Sequence, residues 1–221
     1  MSSLRTRKTR RGVIGIESAI VMIAFVIVAA ALAFVVLNMG FSTTQKAKTA
    51  ISSSITESSS ALEIAGKVTG VGYVSSGVLN ATVIPLKVAG GGDSVNLDPA
   101  TASIKYYSNS VRYDNIFGNN CVLTSSTYNN VTTAFAAAVT ASCIDNNPTG
   151  GSAAAPTNTK AVLYWDVSNT PQNKILDQGE HANLAIAYDA SDRPGALDNI
   201  KVEVIVPTGS ALTVERSVPS V

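Results

Sequence analysis

Three ionisable residues could bind a metal ion or take part in catalysis: Asp177, Glu180 and His181. They lie close together in the sequence. Carboxylate and imidazole groups at this spacing are possible ligands for a metal ion. His181 is the only histidine in the chain, which excludes sites built on two histidines. The chain also lacks a G-x-S-x-G motif, so a Ser-His-Asp triad has no sequence motif to support it. Charged residues in a turn before a strand are usually solvated, and we therefore predict neither a metal site nor an enzyme.

A glycine run, Gly90–Gly92, is a candidate for a loop that binds phosphate groups. Such loops carry a following lysine directly before a serine or threonine, which contact the phosphates and their magnesium ion, and that pair is missing here. We therefore interpret the run as a turn and predict no cofactor.

A basic leader precedes a long apolar segment at the start of the chain. The leader carries Arg5, Arg7, Lys8, Arg10 and Arg11 and no acidic residue. A basic tail can bind nucleic acid, but next to an apolar segment it more often holds the N-terminus in the cytoplasm. We therefore predict an orientation signal and no nucleic-acid partner.

The apolar segment, residues 18–37, is about 20 residues long, enough to cross the ~30 Å core of a bilayer. An ordinary secretory signal is cut after its apolar region at a small-residue site, and no such site follows Leu37. We predict cleavage between Gly12 and Val13, which leaves the apolar segment at the mature N-terminus.

Glu17 is the one carboxylate at the edge of the apolar segment, where an unpaired charge costs several kcal/mol to desolvate. Cleavage after Gly12 would create a cation, the α-amino group of Val13, four residues away. The two groups can pair within one helix. Alternatively, Glu17 sits near the helix N-terminus because the helix dipole favours an acid there by about 0.3–1 kcal/mol.

The arrangement around the predicted cleavage site resembles the type IV pilin superfamily and, within it, the archaeal flagellins (archaellins). The matching residues before and after the cut are Arg10, Arg11, Gly12, Gly15 and Glu17. Two later segments, Leu176–Glu180 and Ile200–Gly209, look like the closing strands of the archaellin outer domain. Residues 108–160 carry no resemblance that we identify.

The resemblance implies a prepilin-type signal peptidase that removes residues 1–12, an immunoglobulin-like outer domain and assembly of identical subunits into a helical filament. It also implies that Glu17 meets the Val13 amine of an adjoining subunit and sets the register. The filament would be the archaellum, which is rotated by a motor for swimming.

The sequence from Val13 to about Ala65 contains no proline and only two glycines, Gly15 and Gly40. We predict one helix over residues 13–65, about 80 Å long. Residues 18–37 are apolar on every face and must be buried in lipid or among other helices. The predicted assembly residues, besides Glu17, are Ile20, Ile23, Phe25, Ile27, Leu32, Phe34 and Leu37.

The helix becomes polar after Ser42 but keeps a narrow stripe of mostly apolar residues spaced three or four apart. The stripe consists of Ala47, Ile51, Ile55, Ser58, Leu62 and Ala65. That spacing indicates packing against neighbouring helices, as in a coiled coil, or against the outer domain of the same chain. A single-pass anchor with a stalk is the alternative.

Residues 66–221 are predicted to form a separate β-domain, because short strand-like runs alternate with turn clusters throughout. The predicted strands are Val78–Val88, Ala102–Tyr107, Val111–Ile116, Val131–Ser142, Ala161–Val167, Ala182–Tyr188, Ile200–Val206 and Ala211–Arg216. Within the fourth run, Ala134–Val139 also fits a helical turn. The expected fold is α+β: a long N-terminal α-helix followed by an antiparallel immunoglobulin-like β-sandwich.

Two cysteines, Cys121 and Cys143, lie in the part of the chain that would face outward. Extracellular thiols tend to pair, and we predict a disulfide, with two buried free thiols as the alternative. Neither belongs to a C-x-x-C pair, so a zinc or redox motif is not expected.

Two triplets match the acceptor pattern for N-glycosylation, Asn80-Ala-Thr82 and Asn130-Val-Thr132. The pattern is common by chance, but export makes modification of Asn80 and Asn130 plausible. A third triplet, Asn147-Pro-Thr149, is excluded by its proline.

The predicted protein is thus a structural subunit, held in the cell membrane as a precursor and then assembled into an extracellular cell-surface filament. The alternatives are the subunit of a non-rotating adhesive pilus and a signal-anchored surface binding protein. An exported enzyme is the least favoured.

Overall fold

The computed structural model describes residues 11–59, 61–73, 77–150, 154–169 and 173–220, without the side chains of residues 11–14, 56–59 and 73. The chain divides into two compact units, Met1–Ser53 and Ser54–Val221. The first is a helix and the second is the outer domain. This arrangement confirms the predicted α+β fold class.

The first helix, α1, covers Arg11–Ser59, which is 49 residues and about 74 Å at 1.5 Å per residue. The prediction that it continues to Ala65 is wrong. Leu62–Ile64 form a strand instead, because their backbone groups pair with Leu86–Val88. Leu62 is therefore buried in the outer domain and does not continue the helical stripe.

The outer domain contains twelve described strands and a second helix, α2, which covers Val131–Thr140. The strands are β1 Leu62–Ile64, β2 Thr69–Tyr73, β3 Val78–Val88, β4 Val95–Asn96, β5 Ser103–Tyr107, β6 Arg112–Tyr113, β7 Phe117–Leu123, β8 Lys160–Val167, β9 Ile175–Leu176, β10 His181–Ala187, β11 Asn199–Ile205 and β12 Leu212–Ser217.

The larger sheet has the order β1-β3-β10-β8-β7, with β2 pairing beside β1 along the same edge of β3. Its pairs are antiparallel except the last, because β7 runs parallel to β8. The smaller sheet has the order β12-β11-β5-β6 and is antiparallel. The short strands β4 and β9 form a separate pair.

The main core lies between the two large sheets. Burial alternates along β11, where Ile200, Val202 and Val204 point inward and their neighbours are less buried, as expected for a strand with one face on a core. Trp165 and Tyr188 belong to the same cluster. Tyr188 donates its hydroxyl hydrogen to Thr82 Oγ1 at 2.9 Å, and burial raises the pKa of Tyr188 well above its usual value.

The segment predicted as a strand over Val131–Ser142 is the helix α2, so that prediction is wrong and the helical alternative is right. Asn130 caps the helix, because its side-chain oxygen accepts the Thr132 N–H at 2.9 Å. Phe135 and two alanines of α2 pack against Val162 and other residues of the larger sheet and form a second core cluster. Alanine favours helix intrinsically, and an apolar face three to four residues apart suffices to cover the sheet.

A disulfide joins Cys121 of β7 to Cys143, which lies just after α2. The Cys143 amide also donates to the Ala138 carbonyl at 2.9 Å, so the turn after the helix is held by two separate bonds. The disulfide thus fixes α2 to the edge of the larger sheet.

Removal of the disulfide should destabilise the outer domain. Replacing both Cys121 and Cys143 with alanine opens a cross-link between residues 22 apart in the sequence. The expected loss is about 3 kcal/mol, which corresponds to a fall of roughly 10 °C in the melting temperature. Circular dichroism on the detergent-dispersed chain measures it.

Adding a reductant to the native chain should produce a similar fall and should leave the double variant unchanged. A double variant that melts at the native temperature would show that the cross-link contributes nothing.

Candidate assembly helix

The first half of α1 presents large apolar side chains to solvent. Every described side chain from Gly15 to Ile55 is exposed in the single chain. Phe25 is 71% exposed and Phe34 is 68% exposed, whereas comparable side chains in the outer domain are buried. The other predicted assembly residues are also exposed: Ile20, Ile23, Ile27, Leu32 and Leu37.

These side chains surround the helix axis completely. At about 100° per residue, Ile20, Phe25 and Leu37 point in three widely separated directions. A helix on the surface of a soluble domain has one apolar face and one polar face, and this segment has no polar face. By length and composition, α1 is apolar enough to cross a membrane.

The exposed apolar surface excludes a free monomer in water. Thirteen large apolar side chains lie exposed between Ile20 and Leu37. At about 1.5–3 kcal/mol each, their burial contributes roughly 20–40 kcal/mol relative to exposure in water. The helix therefore requires an apolar environment supplied from outside the single chain.

The predicted cleavage site lies at the start of α1. Arg11, Gly12 and Val13 have helical backbone geometry, and Arg10 falls outside the described residues. Glu17 lies in the second turn of the uncut helix and its side chain is exposed. The structure thus places Glu17 one helical turn after Val13, on the same side of the helix.

Three threonines in the second half of α1 bond their hydroxyl groups within the helix. Thr43, Thr44 and Thr49 each donate a side-chain hydrogen bond to the backbone carbonyl four residues earlier, at 2.8–2.9 Å. Hydroxyls bonded in this way need no water. These three hydroxyls can therefore be buried against other helices without leaving their donors unpaired.

The two predicted glycosylation sites differ in the structure. Asn130 is exposed at the start of α2, and only its oxygen is used for capping. Asn80 is 1% exposed, and its Nδ2 donates to the Pro148 carbonyl at 3.2 Å. A glycan is attached to Nδ2, so Asn130 is the more accessible of the two sites in the folded domain, and modification of both stays a prediction.

In the ionisable cluster near His181, Glu180 is only 3% exposed, whereas His181 itself is exposed. The Glu180 carboxylate accepts hydrogen bonds from Asn169 N at 2.7 Å, from Asp177 N at 3.0 Å and from Ser168 Oγ at 3.1 Å. Glu180 therefore holds the chain after β8 to the turn before β10. Sequence reasoning missed this role because the donors come from a distant segment and from backbone amides.

A second buried carboxylate, Asp192, organises the opposite side of the outer domain. Its Oδ2 accepts hydrogen bonds from Thr159 Oγ1 at 2.7 Å and from Tyr113 Oη at 2.8 Å. The bond to this carboxylate raises the pKa of Tyr113 above its usual value. Among the residues described, no cluster of three histidine, cysteine, aspartate or glutamate side chains is arranged to hold a metal ion.

Comparison with known proteins shows the family to which this chain belongs. The sequence pattern of the archaeal-type flagellin family matches residues 12–216. The chain is 36% identical over 219 residues to "Probable flagellin 1" of Aeropyrum pernix, covering 96% of this chain and 94% of that protein. It is 37% identical over 111 residues to "Flagellin FlaB2" of Saccharolobus shibatae, covering 49% of this chain and 36% of that protein.

Two solved structures share the fold. One is a subunit of the archaeal flagellum of Methanospirillum hungatei, with a TM-score of 0.57 and 22% identity over 93% of each chain. The other is the flagellin FlaB1 of Methanocaldococcus jannaschii, with a TM-score of 0.56 and 13% identity, covering 73% of this chain and 91% of that one.

The apolar helix and the β-domain thus define a filament-forming structural protein. The chain belongs to the archaeal-type flagellin family, and it is a structural subunit of a motility filament.

Replacing Glu180 with alanine should destabilise the outer domain by about 2–4 kcal/mol, because two backbone amides and one hydroxyl lose their acceptor. Asp177→Ala is the matched control, since it also removes a carboxylate but keeps the Asp177 amide in place. Thermal unfolding of the two detergent-dispersed variants compares them. Equal melting temperatures would contradict the role assigned to Glu180.

Proposed function

We propose that this chain is the subunit of an archaellum in which the helices α1 form the core and the outer domains form the surface. The observation that carries this assignment is the exposed apolar circumference of residues 18–37. The assembled filament is extracellular, and the role requires no catalytic group and no cofactor.

The precursor is held in the cell membrane with its basic leader in the cytoplasm, because five positive charges precede an apolar segment of membrane length. A prepilin-type signal peptidase then removes residues 1–12 and releases the amine of Val13. The trimmed helix leaves the lipid when it packs among the helices of other subunits.

Area burial alone does not favour a helix bundle over lipid, because both environments are apolar. Close packing must favour the bundle, and small residues at Ala29–Ala31 and Ala33 let neighbouring helices approach each other closely. The internally bonded threonines of the second half extend the surface that can pack in this way.

Glu17 is the residue that we expect to set the register of assembly. Within the apolar core it needs a positive partner, since an unpaired buried carboxylate is strongly unfavourable. The amine of Val13 in an adjoining subunit supplies that charge only when the two helices are correctly offset. Misaligned helices would leave both charges buried and unpaired.

Processing can be tested directly. Mass spectrometry of native filaments should find a subunit that begins at Val13. Replacing Gly12 with valine should leave the leader attached and the protein in the membrane fraction. The reason is that a branched side chain directly before the cut should block cleavage by the peptidase. Gly40→Val makes the same change at a glycine of α1 far from the cut and should still be processed.

A native subunit that begins at Met1, or after Leu37, would contradict this account of processing. So would a Gly12→Val protein that is cut normally.

The role of Glu17 predicts a selective loss of assembly. Glu17→Gln keeps the shape of the side chain but removes its charge, so processing should continue while the yield of filaments falls several-fold. Glu63→Gln is the control, because Glu63 is a partly exposed outer-domain acid paired with Lys87. Quantitative electron microscopy and blotting of sheared filaments measure the yield, and equal yields for the two variants would disprove the register role.

A further inference from the structure

The outer domain exposes few large apolar side chains, and they occur at its two opposite ends. This holds for its described residues, 61–73, 77–150, 154–169 and 173–220. The four are Tyr113, Val167, Ile175 and Leu197. We call the end where the chain enters from α1 the junction end; it contains the Ala61–Ser210 bridge and the Leu62–Val88 pair. The opposite, far end contains the Val78–Gly195 bridge.

Strand β3 connects the two ends, and its 11 residues span about 36 Å. Val167 pairs with His181 at the junction end of the larger sheet. Ile175 lies in β9, a few residues before β10 begins at the same end. Leu197 lies just before β11, whose first residue, Asn199, pairs with Ser217 at the far end.

Leu197 has a conformation that is unusual for leucine. Its φ is +66°, and its side chain is 72% exposed. It is the third residue of a turn closed by a hydrogen bond from Asp198 N to the Gly195 carbonyl at 3.2 Å. Glycine or asparagine normally supplies a positive φ at this position. The positive φ is strained for a leucine, and the exposed side chain buries little apolar surface within its own domain.

The turn is held rigidly by bonds on both sides. Leu197 N donates to the Val218 carbonyl at 2.9 Å, and Val218 N donates to the Asp198 carbonyl at 2.8 Å. The Asp198 carboxylate accepts from Gly195 N at 2.8 Å and from Asn109 Nδ2 at 2.9 Å. Leu197 is therefore fixed in an outward position rather than carried on a loose loop.

An apolar groove of about 340 Å³ lies beside this turn, at the open end of the sandwich. Ala196, the neighbour of Leu197, is part of its lining. Its main apolar walls are Val68, Leu79, Ile200, Val218 and Pro219. Arg216 also lines it and has no ion-pair partner among the described residues.

The junction end carries two carboxylates beside its apolar residues, whereas the carboxylate beside Leu197, that of Asp198, is bonded to Gly195 N and Asn109 Nδ2. Asp166 precedes Val167 and is exposed, and Asp177 follows the strand of Ile175. Neither carboxylate forms an ion pair within the described part of the chain. The junction end thus presents apolar side chains beside acids. The far end presents the Leu197 side chain and the apolar groove beside an arginine.

We propose that the far end of one outer domain docks on the junction end of the outer domain of a second copy of this chain. The far-end patch is Leu197, the adjoining groove and Arg216; the junction-end patch is Val167, Ile175, Asp166 and Asp177. Two different complementary patches on one molecule make a head-to-tail contact, which propagates without closing and so suits a filament. This inference rests on the proposed function.

The decisive variant is Leu197→Asn. Asparagine tolerates a positive φ, so the detergent-dispersed subunit should melt at the native temperature or above it. Filaments made of this variant should nevertheless be weaker, with roughly tenfold more subunit free at equilibrium, a ratio equivalent to about 1.4 kcal/mol. To test this weakening, sheared filaments are heated stepwise and then ultracentrifuged. The amount of subunit left in the supernatant measures the free fraction.

Ser142→Asn is the matched control, because Ser142 is the other described non-glycine residue with a positive φ, at 58°, and its side chain is exposed and polar. The same relief of backbone strain should leave filament stability at or above the native level. The proposal is overturned if Leu197→Asn filaments are as stable as native ones, or if both variants weaken filaments equally.

The charge component has its own test. Arg216→Glu and Asp166→Lys should each release more subunit than native filaments do, and the double variant should recover part of the loss because the pair is reversed. Additive losses in the double variant would contradict the pairing of these two ends. A native chain that forms no filaments at all would instead contradict the proposed function itself.

Discussion

The apolar surface of α1 is the constraint on which the rest of the structure depends. A helix that is apolar around its whole circumference has no stable place in water and no buried place within its own chain. Only two environments suit it, a bilayer and a bundle of similar helices. Under the proposed function, the same segment is the membrane anchor of the precursor and the core of the assembled filament, and cleavage of the leader separates the two states.

The outer domain is built to fold without help from α1. Its two sheets enclose a core of their own, α2 covers the outer face of the larger sheet, and the disulfide from Cys121 to Cys143 fixes that cover. Buried carboxylates at Glu180 and Asp192 join segments that are distant in sequence. Under the proposed function, this independence would let the helix move from lipid to bundle while the outer domain stays folded.

The sequence alone predicts the elements whose periodicity is clear. Strands β3, β8 and β11 follow from their apolar runs, and α1 follows from its length without proline. The predicted end of α1 is wrong because Leu62 fits both the helical stripe and a strand. Its pairing with β3 makes it part of a strand. The sequence of α2 does not distinguish helix from strand, because its alanine-rich run fits both the helical and the strand periodicity. The apolar assembly residues and the two cysteines were identifiable, whereas Glu180 and Leu197 depend on bonds and backbone angles that no local pattern shows.

Hydrogen exchange in intact native filaments tests the central claim most directly. If α1 is buried among copies of itself, the amides of residues 18–37 should be among the slowest in the subunit to exchange. Amides in exposed turns such as residues 89–93 should exchange far faster in the same sample. Exchange of the 18–37 amides at the rate of those turns would show that the apolar helix is not the core of the filament.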